Sequence, residues 1–390
     1  PTMMSDMEPP SPLDGLTVMQ PPTANNMGTA EVTYPITIPS GRGGMEPRLA
    51  LSYSSQRGNG WLGVGWDITV PSITVETRWG VPRYDNELES EVYLLEGEQL
   101  VTRDGQGQER AMPHRTNHWI PRQAGDVRFY PRAGESHDSI VRHGDNPSNY
   151  WWSVTHTNGV TDIYGARDGR PDGSCVLQGH TVSNLYPIDA TIAVAEWKIS
   201  ESIDRYGNKV RYYYDTVSDN TGKQIYPSRI NYTGHGDEEG VFDIVFERKE
   251  YREDIENSGR YGFLVSTTET LCNIDVFYRG DSTDVPRKAY YFFTECGRSS
   301  RYKTRLTDVV CVATRHTLET EHCGSGMGSL FLGEKGDAVR YHFDYHDLPE
   351  PSKMFGDAVQ FSNLPDDNIG SDFSLSAAMS GATALGASKG

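Results

Sequence analysis

The chain has 390 residues, with 36 basic against 54 acidic side chains and a formal net charge of −18. That balance argues against a nucleic-acid-binding surface or an anionic membrane partner, both of which need clustered positive charge. Hydrophobic residues at 36%, with 22 tyrosines among them, are enough to bury a sizeable core, so a soluble, folded, acidic protein is expected.

No stretch approaches the roughly 18 uninterrupted apolar residues of a membrane span. The first thirty residues carry Asp6, Glu8 and Asp14 but no Lys or Arg. A classical secretory signal needs a basic start and an apolar run, so any export would use another route. Opening on Pro1 suggests a processed fragment of something longer. The five cysteines, Cys175, Cys272, Cys296, Cys311 and Cys323, are irregularly spaced and read as buried small side chains rather than a disulfide framework.

Residues 1–30 are rich in Pro and Met without hydrophobic period and read as an extended or disordered leader. From 31 to 348 the texture becomes short β-favouring runs broken by Gly, Asp and Asn. Leu49, Leu51 and Tyr53 fall on one strand face and Ala50, Ser52 and Ser54 on the other. Ile68, Val70, Ile73 and Val75 flank Pro71, which suggests an edge or a bend. Val210, Tyr212 and Tyr214 alternate with Arg211 and Tyr213, and Phe242, Ile244 and Phe246 with Asp243 and Val245. Tyr290 to Phe293 form an aromatic run expected to be buried, and Val339, Tyr341, Phe343 and Tyr345 alternate once more. No amphipathic helix of three turns is legible. Residues 349–390 turn Ser/Ala/Gly-rich and read as a connector to further sequence. The expectation is an all-β fold.

Short motifs that carry chemistry are weak here. Gly58-Asn-Gly60-Trp-Leu-Gly63 fits the dinucleotide pattern, but the β-branched residues that follow cannot open the helix that would bind a pyrophosphate. The glycines read as turns, and no cofactor is expected. Gly386-Ala-Ser388-Lys-Gly390 has no acid and His after it, as a nucleophile elbow requires. His342 and His346 lie about 13 Å apart on a strand, too far to share an ion, and Cys311, His316, His322 and Cys323 lack paired metal-ligand spacing. Asn231-Tyr-Thr233 is a lone glycosylation sequon. Glu89-Ser-Glu91 and Glu96-Gly-Glu98 give E-x-E, a pattern of mono-ADP-ribosyltransferases, without a partner set to hold NAD; a solvated acidic hairpin is the plainer reading.

The specific stretch is 34–85. It runs from Tyr34-Pro-Ile-Thr-Ile-Pro-Ser-Gly through Leu49-Ala-Leu-Ser-Tyr53-Ser to Gly58-Asn59-Gly60-Trp61-Leu-Gly63-Val-Gly65-Trp66. Pro71-Ser-Ile73 and Gly80-Val-Pro-Arg-Tyr-Asp85 complete it. In order and spacing it closely resembles the opening of the SpvB/TcB family of virulence and insecticidal-toxin proteins. Weaker resemblance continues through Trp152-Ser-Val-Thr, Tyr164-Gly165, Trp197, Leu271 to Phe277 and Leu385-Gly-x-Ser388. Asp204-Arg-Tyr-Gly207-Asn208, followed by alternating tyrosines, is similar to one YD-type unit of Rhs proteins: Asp and Asn bond their own backbone and Gly takes positive φ.

The resemblance implies curved antiparallel sheets of a Rhs-like β-shell and a non-catalytic scaffold, secreted as part of a larger toxin. Its partners would be downstream domains of the same polypeptide and other toxin-complex components. No propeller or transferase domain is recognisable in the chain. Two alternatives stay open: an ADP-ribosyltransferase-associated virulence protein using the E-x-E pairs, or a glycan- or receptor-binding β module using the aromatic surplus. Trp61, Trp66 and Trp79 are expected to fill space between sheets rather than to form a ligand platform.

Overall fold

The computed structural model describes residues 28–110, 120–133, 136–181, 191–219, 222–249, 252–280, 286–297, 303–313 and 338–345, with two-residue strands at 23–24, 359–360 and 376–377. Those residues are almost entirely strand and turn, interrupted by 3-10 turns at Arg42–Gly44 and Gly173–Cys175.

Two β bodies share one long strand. In the first, Ser72–Val75, Tyr93–Leu95, Glu98–Val101, Val127–Pro131, Ser139–His143, Trp151–Thr155, Thr161–Tyr164 and Thr191–Ile203 hydrogen-bond in that order, each antiparallel to the next. Thr191–Ile203 then pairs back onto Ser72–Val75 through Glu196↔Thr74 and Lys198↔Ser72, which closes a barrel. A barrel of this size has an interior that side chains can fill. Here Tyr93, Phe129, Trp152 and Trp197 fill it, packed edge to face at centroid separations of 4.9–6.0 Å. The Trp197 indole also donates to the Tyr150 carbonyl at 2.6 Å.

In the second body, Thr191–Ile203 continues into an open antiparallel sheet. Its successive strands are Asn208–Asp219, Gly222–His235, Phe242–Lys249, Thr270–Tyr278, Lys288–Gly297, Lys303–Ala313 and Ala338–His342. The alternation read from sequence sets its faces. Val210, Tyr212, Tyr214, Ile230, Ile244, Phe246, Ile274, Val276, Tyr290 and Phe292 are buried on one side, whereas Arg211 and Tyr213 point to the other. The aromatic run at 290–293 is therefore split: Tyr291 and Phe293 are only half-buried.

A small sheet of Ala30–Ile36, Leu49–Ser54 and Trp66–Ile68, joined at its edge by Thr23–Ala24, packs on that apolar side. Tyr34 meets Tyr341 edge to face at 5.2 Å, and the Tyr290 hydroxyl takes the Thr37 N–H at 2.9 Å and donates to the Thr37 carbonyl at 2.8 Å. Pro71 makes the bend between Trp66–Ile68 and Ser72–Val75, and its carbonyl accepts from the Ile199 N–H.

Cys175 and Cys311 are free thiols, and burial pushes Cys175 up to about 12. Cys272 is disulfide-bonded, which corrects its reading as a buried free thiol. Among the described residues no helix is long and apolar enough to cross a membrane.

Candidate functional site

The signature turn folds back on itself. Asn59↔Val64 and Gly60↔Gly63 pair around Trp61-Leu62, and the Gly65 N–H donates to the Gly58 carbonyl at 3.0 Å. Two of its glycines are fixed by sterics. Gly63 has φ +108, and a Cβ there would sit 2.5 Å from the Thr304 carbonyl oxygen; Gly65 has φ +79 against the Tyr53 ring. Neither position admits a side chain without moving backbone or ring.

Asn59 ties the turn to the loop at 252–254 and, through Asp254, to the strand Lys303–Ala313. Its amide donates to Asp254 Oδ2 at 2.7 Å and to the Asp254 carbonyl at 3.2 Å, while its Oδ1 accepts from Arg252. Arg252, buried, also donates to the Gly60 carbonyl and to Asp254 Oδ1, each at 2.7 Å. The Thr304 N–H and hydroxyl each reach Asp254 at 2.6 Å. Burial alone would raise the Asp254 carboxyl, but Arg252 and Thr304 favour its charge and hold it at about 2.

Trp61 packs on Tyr226 at 5.4 Å and Phe246 at 6.2 Å. Trp66, 2% exposed, lies between Tyr53 and Phe343, and its indole N–H donates to the Tyr345 hydroxyl at 2.8 Å. Trp79 departs from the expectation. It is 51% exposed, because it sits in the Thr77–Gly80 turn just beyond the end of Ser72–Val75, where no second sheet covers it.

The Asp204–Asn208 turn has the hydrogen bonding its sequence implies. Asp204 Oδ1 accepts the N–H groups of Tyr206 and Asn208, and Oδ2 accepts the Asn208 amide. Gly207 takes φ +82. The turns at 104–108 and 156–160 share its backbone pattern, each donating from its fourth residue, a glycine, to the first carbonyl. Only the turn at 204–208 stands out in sequence, because the others replace its Asp or Asn.

The two E-x-E pairs part company. Glu98 is exposed at a tight turn made by Glu96 and Gly97, both at positive φ. Glu89 and Glu91 are instead enclosed at one end of the barrel, which corrects the solvated-hairpin reading for that pair. Arg142, fully buried, grips Glu89 through two bonds of 2.6 and 3.0 Å, and Arg122 donates to Glu91 at 2.7 Å and to Glu89 at 3.2 Å. Burial pushes the Glu91 carboxyl upward against the pull of Arg122. The two guanidiniums and two carboxylates cancel one another, so what reads as a catalytic pair is an internal ion-pair network. A shallow cleft beside it is lined by Gln99, Leu100, Arg110, Val127 and Phe129 as well as both glutamates.

Most of the remaining candidates lie outside the described residues. His342 pairs with Asp308 at 2.8 Å and with Asp344, while His346, His316, His322, Cys323 and the 385–390 segment lie outside the described residues. Among the described residues no group of three His, Cys, Asp or Glu could hold a metal ion. Asn231 is buried with its amide donating to the Gly240 carbonyl and Asp243, so the sequon is closed.

One set was missed by sequence reasoning. Asp126, His143 and Ser153 form a continuous hydrogen-bonded chain across three barrel strands. Their spacing matches no motif, and only the register of those strands brings them together.

A closed barrel sharing a strand with an antiparallel sheet defines the class: the described residues form an all-β module. The family model described as Salmonella virulence plasmid 65kDa B protein, SpvB, matches residues 24–239, more than half of the chain, and the chain belongs to that family. The mono(ADP-ribosyl)transferase SpvB of Salmonella typhimurium is 28% identical over 194 residues, 48% of this chain and 30% of that protein. The chain thus spans about a third of the curated relatives it matches. The N-terminal domain of effector protein SpvB from Salmonella typhimurium strain LT2 superposes with a TM-score of 0.56 at 20% identity, covering 73% of this chain and 98% of that one. TcdB2-TccC3 gives a TM-score of 0.57 at 20% identity, over 76% of this chain but 16% of its own. The Photorhabdus luminescens Tc holotoxin pore gives 0.54 at 20%, over 76% and 15%.

Proposed function

We propose that this domain is a structural module of a secreted or delivered toxin-type polypeptide, forming part of a β-walled shell that holds a separate toxic domain. The observation that carries the reading is the pair of coverages. One fold fills 98% of an isolated effector domain and 16% of a far larger toxin-complex chain, as expected of a wall unit that can be joined to different partners. On this reading residues 31–348 are the wall unit, 1–30 a leader and 349–390 a connector. Gly58, Asn59, Gly60, Trp61, Gly63, Gly65, Trp66 and Tyr53 anchor the small sheet, and Asp204, Gly207 and Asn208 shape a hairpin. Its partners are downstream domains of the same polypeptide and other toxin-complex components.

The ion pairing of Glu89 and Glu91 weighs against ADP-ribosyl transfer by this domain, since a catalytic glutamate must be free to meet the substrate. The test is an NAD-glycohydrolase assay on the chain beside Glu89→Gln and Glu91→Gln. Background consumption of NAD, equal in all three, is the expected result. Turnover by the parent chain that either substitution abolishes would overturn the reading.

A further inference from the structure

The outer face of the barrel carries a serine, a histidine and a carboxylate in relay, a feature that the shell reading neither requires nor explains. His143 ends the strand Ser139–His143, Ser153 is central in Trp151–Thr155, and Asp126 immediately precedes Val127–Pro131. Pairing of Val127 with Arg142, Arg142 with Trp152 and Val141 with Ser153 fixes their relative positions. Arg142 and Trp152 are fully buried, so the alternating neighbours His143 and Ser153 face outward together.

The distances are those of an aligned relay. His143 Nδ1 lies 2.6 Å from Asp126 Oδ1, and His143 Nε2 lies 2.9 Å from Ser153 Oγ. A carboxylate only accepts, so Nδ1 carries the proton and Nε2 presents its lone pair to the serine hydroxyl. The Trp151 ring stacks on the imidazole at 3.9 Å and 19°, which fixes the plane in which that lone pair points. A nucleophile within reach of a base that a third group orients is the arrangement that activates a hydroxyl.

We propose that Ser153 is a nucleophile toward activated carboxylic esters, with His143 as general base and Asp126 as the carboxylate that orients it. Ser153 Oγ attacks the ester carbonyl and its proton passes to His143 Nε2. The bond to the aryloxy group breaks, the phenolate takes that proton, and an acyl-serine remains. Water then attacks the acyl carbon, gives a proton to His143, and the acid leaves as Ser153 Oγ recovers the proton. Ser153 is paired on both sides within its sheet, so its neighbours' backbone N–H groups are committed to the ladder and the oxyanion faces solvent. One missing oxyanion donor costs about 10²–10³ in rate, which restricts the site to esters with good leaving groups and excludes amides. Asp126, 70% exposed, is a weaker orienting group than a buried carboxylate.

The test uses the full chain with p-nitrophenyl acetate, reading nitrophenol release, intact mass and the labelled peptide. The expected result is one acetyl group on Ser153, absent in Ser153→Ala and slowed about 100-fold in His143→Gln. Thermal unfolding of each variant reports whether the barrel survives. Should His143→Gln lose the fold, Asp126→Asn at the exposed end takes its place and is expected to slow acetylation about tenfold. No acetylation, acetylation elsewhere than Ser153, or equal rates in the folded variants would overturn the proposal.

Discussion

Asp275 provides a test of the open sheet because its charge and its burial are in conflict. It lies in Thr270–Tyr278 between Val245 and Ala289, is 8% exposed, and only one of its oxygens has a partner, the Asn273 amide at 2.7 Å. Burial first and Glu247 second push its carboxyl up to about 6 from 3.8. A carboxyl whose folded value is raised is most favourable to the fold below its unfolded value, and that contribution is lost as pH rises through about 6. About two units at 1.4 kcal/mol each set a ceiling near 3 kcal/mol, and partial solvation of Glu247 trims it to about 2. Asp275→Asn keeps the shape and removes the charge. Urea unfolding should therefore find the variant about 2 kcal/mol more stable than the parent at pH 8, and within about 0.5 kcal/mol of it at pH 4. A variant equally or less stable at pH 8, or a difference independent of pH, would refute the argument.

Trp66→Ala should lose about 3–5 kcal/mol in denaturant unfolding, since it empties the space between Tyr53 and Phe343, whereas Trp79→Ala should change stability by less than about 0.5 kcal/mol. Equal effects would contradict the placement of these two rings. Glu91→Gln, which leaves buried Arg122 short of one carboxylate, should cost about 3 kcal/mol in the same measurement. A neutral outcome would mean the ion pair is not formed. His156 bridges Asp162 at 3.0 Å and Asp138 at 3.1 Å, and its hydrogen bond to Asp162 leads the causes that raise it to about 9 from 6.5. The bridge should contribute fully below 6.5 and be lost as pH rises through about 9, so an NMR titration should show a midpoint near 9 that falls in Asp162→Asn. A midpoint near 6.5 in the parent chain would rule the bridge out.

The sequence disclosed what is local. Alternation at 49–54, 210–214 and 242–246 set both strand and buried face, and Asp204, Gly207 and Asn208 disclosed a turn because their side chains bond within five residues. Closure of the barrel was not legible. It rests on Ser72–Val75 pairing with Glu196 to Lys198, and register over such a separation leaves no periodic trace. For the same reason Glu89 and Glu91 looked solvated: Arg122 and Arg142 reach them only after the barrel has formed. Asp126, His143 and Ser153 are ordinary residues in or beside strands until three strands align. Trp79 misled because it follows the apolar run of 72–75 although the chain has already turned outward.

The central claim is that this domain is one piece of a wall around something else. Single-particle imaging of the domain within the full-length polypeptide tests it most directly. The account predicts that the sheet whose last described strand is Ala338–His342 continues into further strands, and that the wall they form encloses a downstream domain. A barrel and sheet ending in solvent, with the downstream domain tethered outside on a flexible connector, would contradict it.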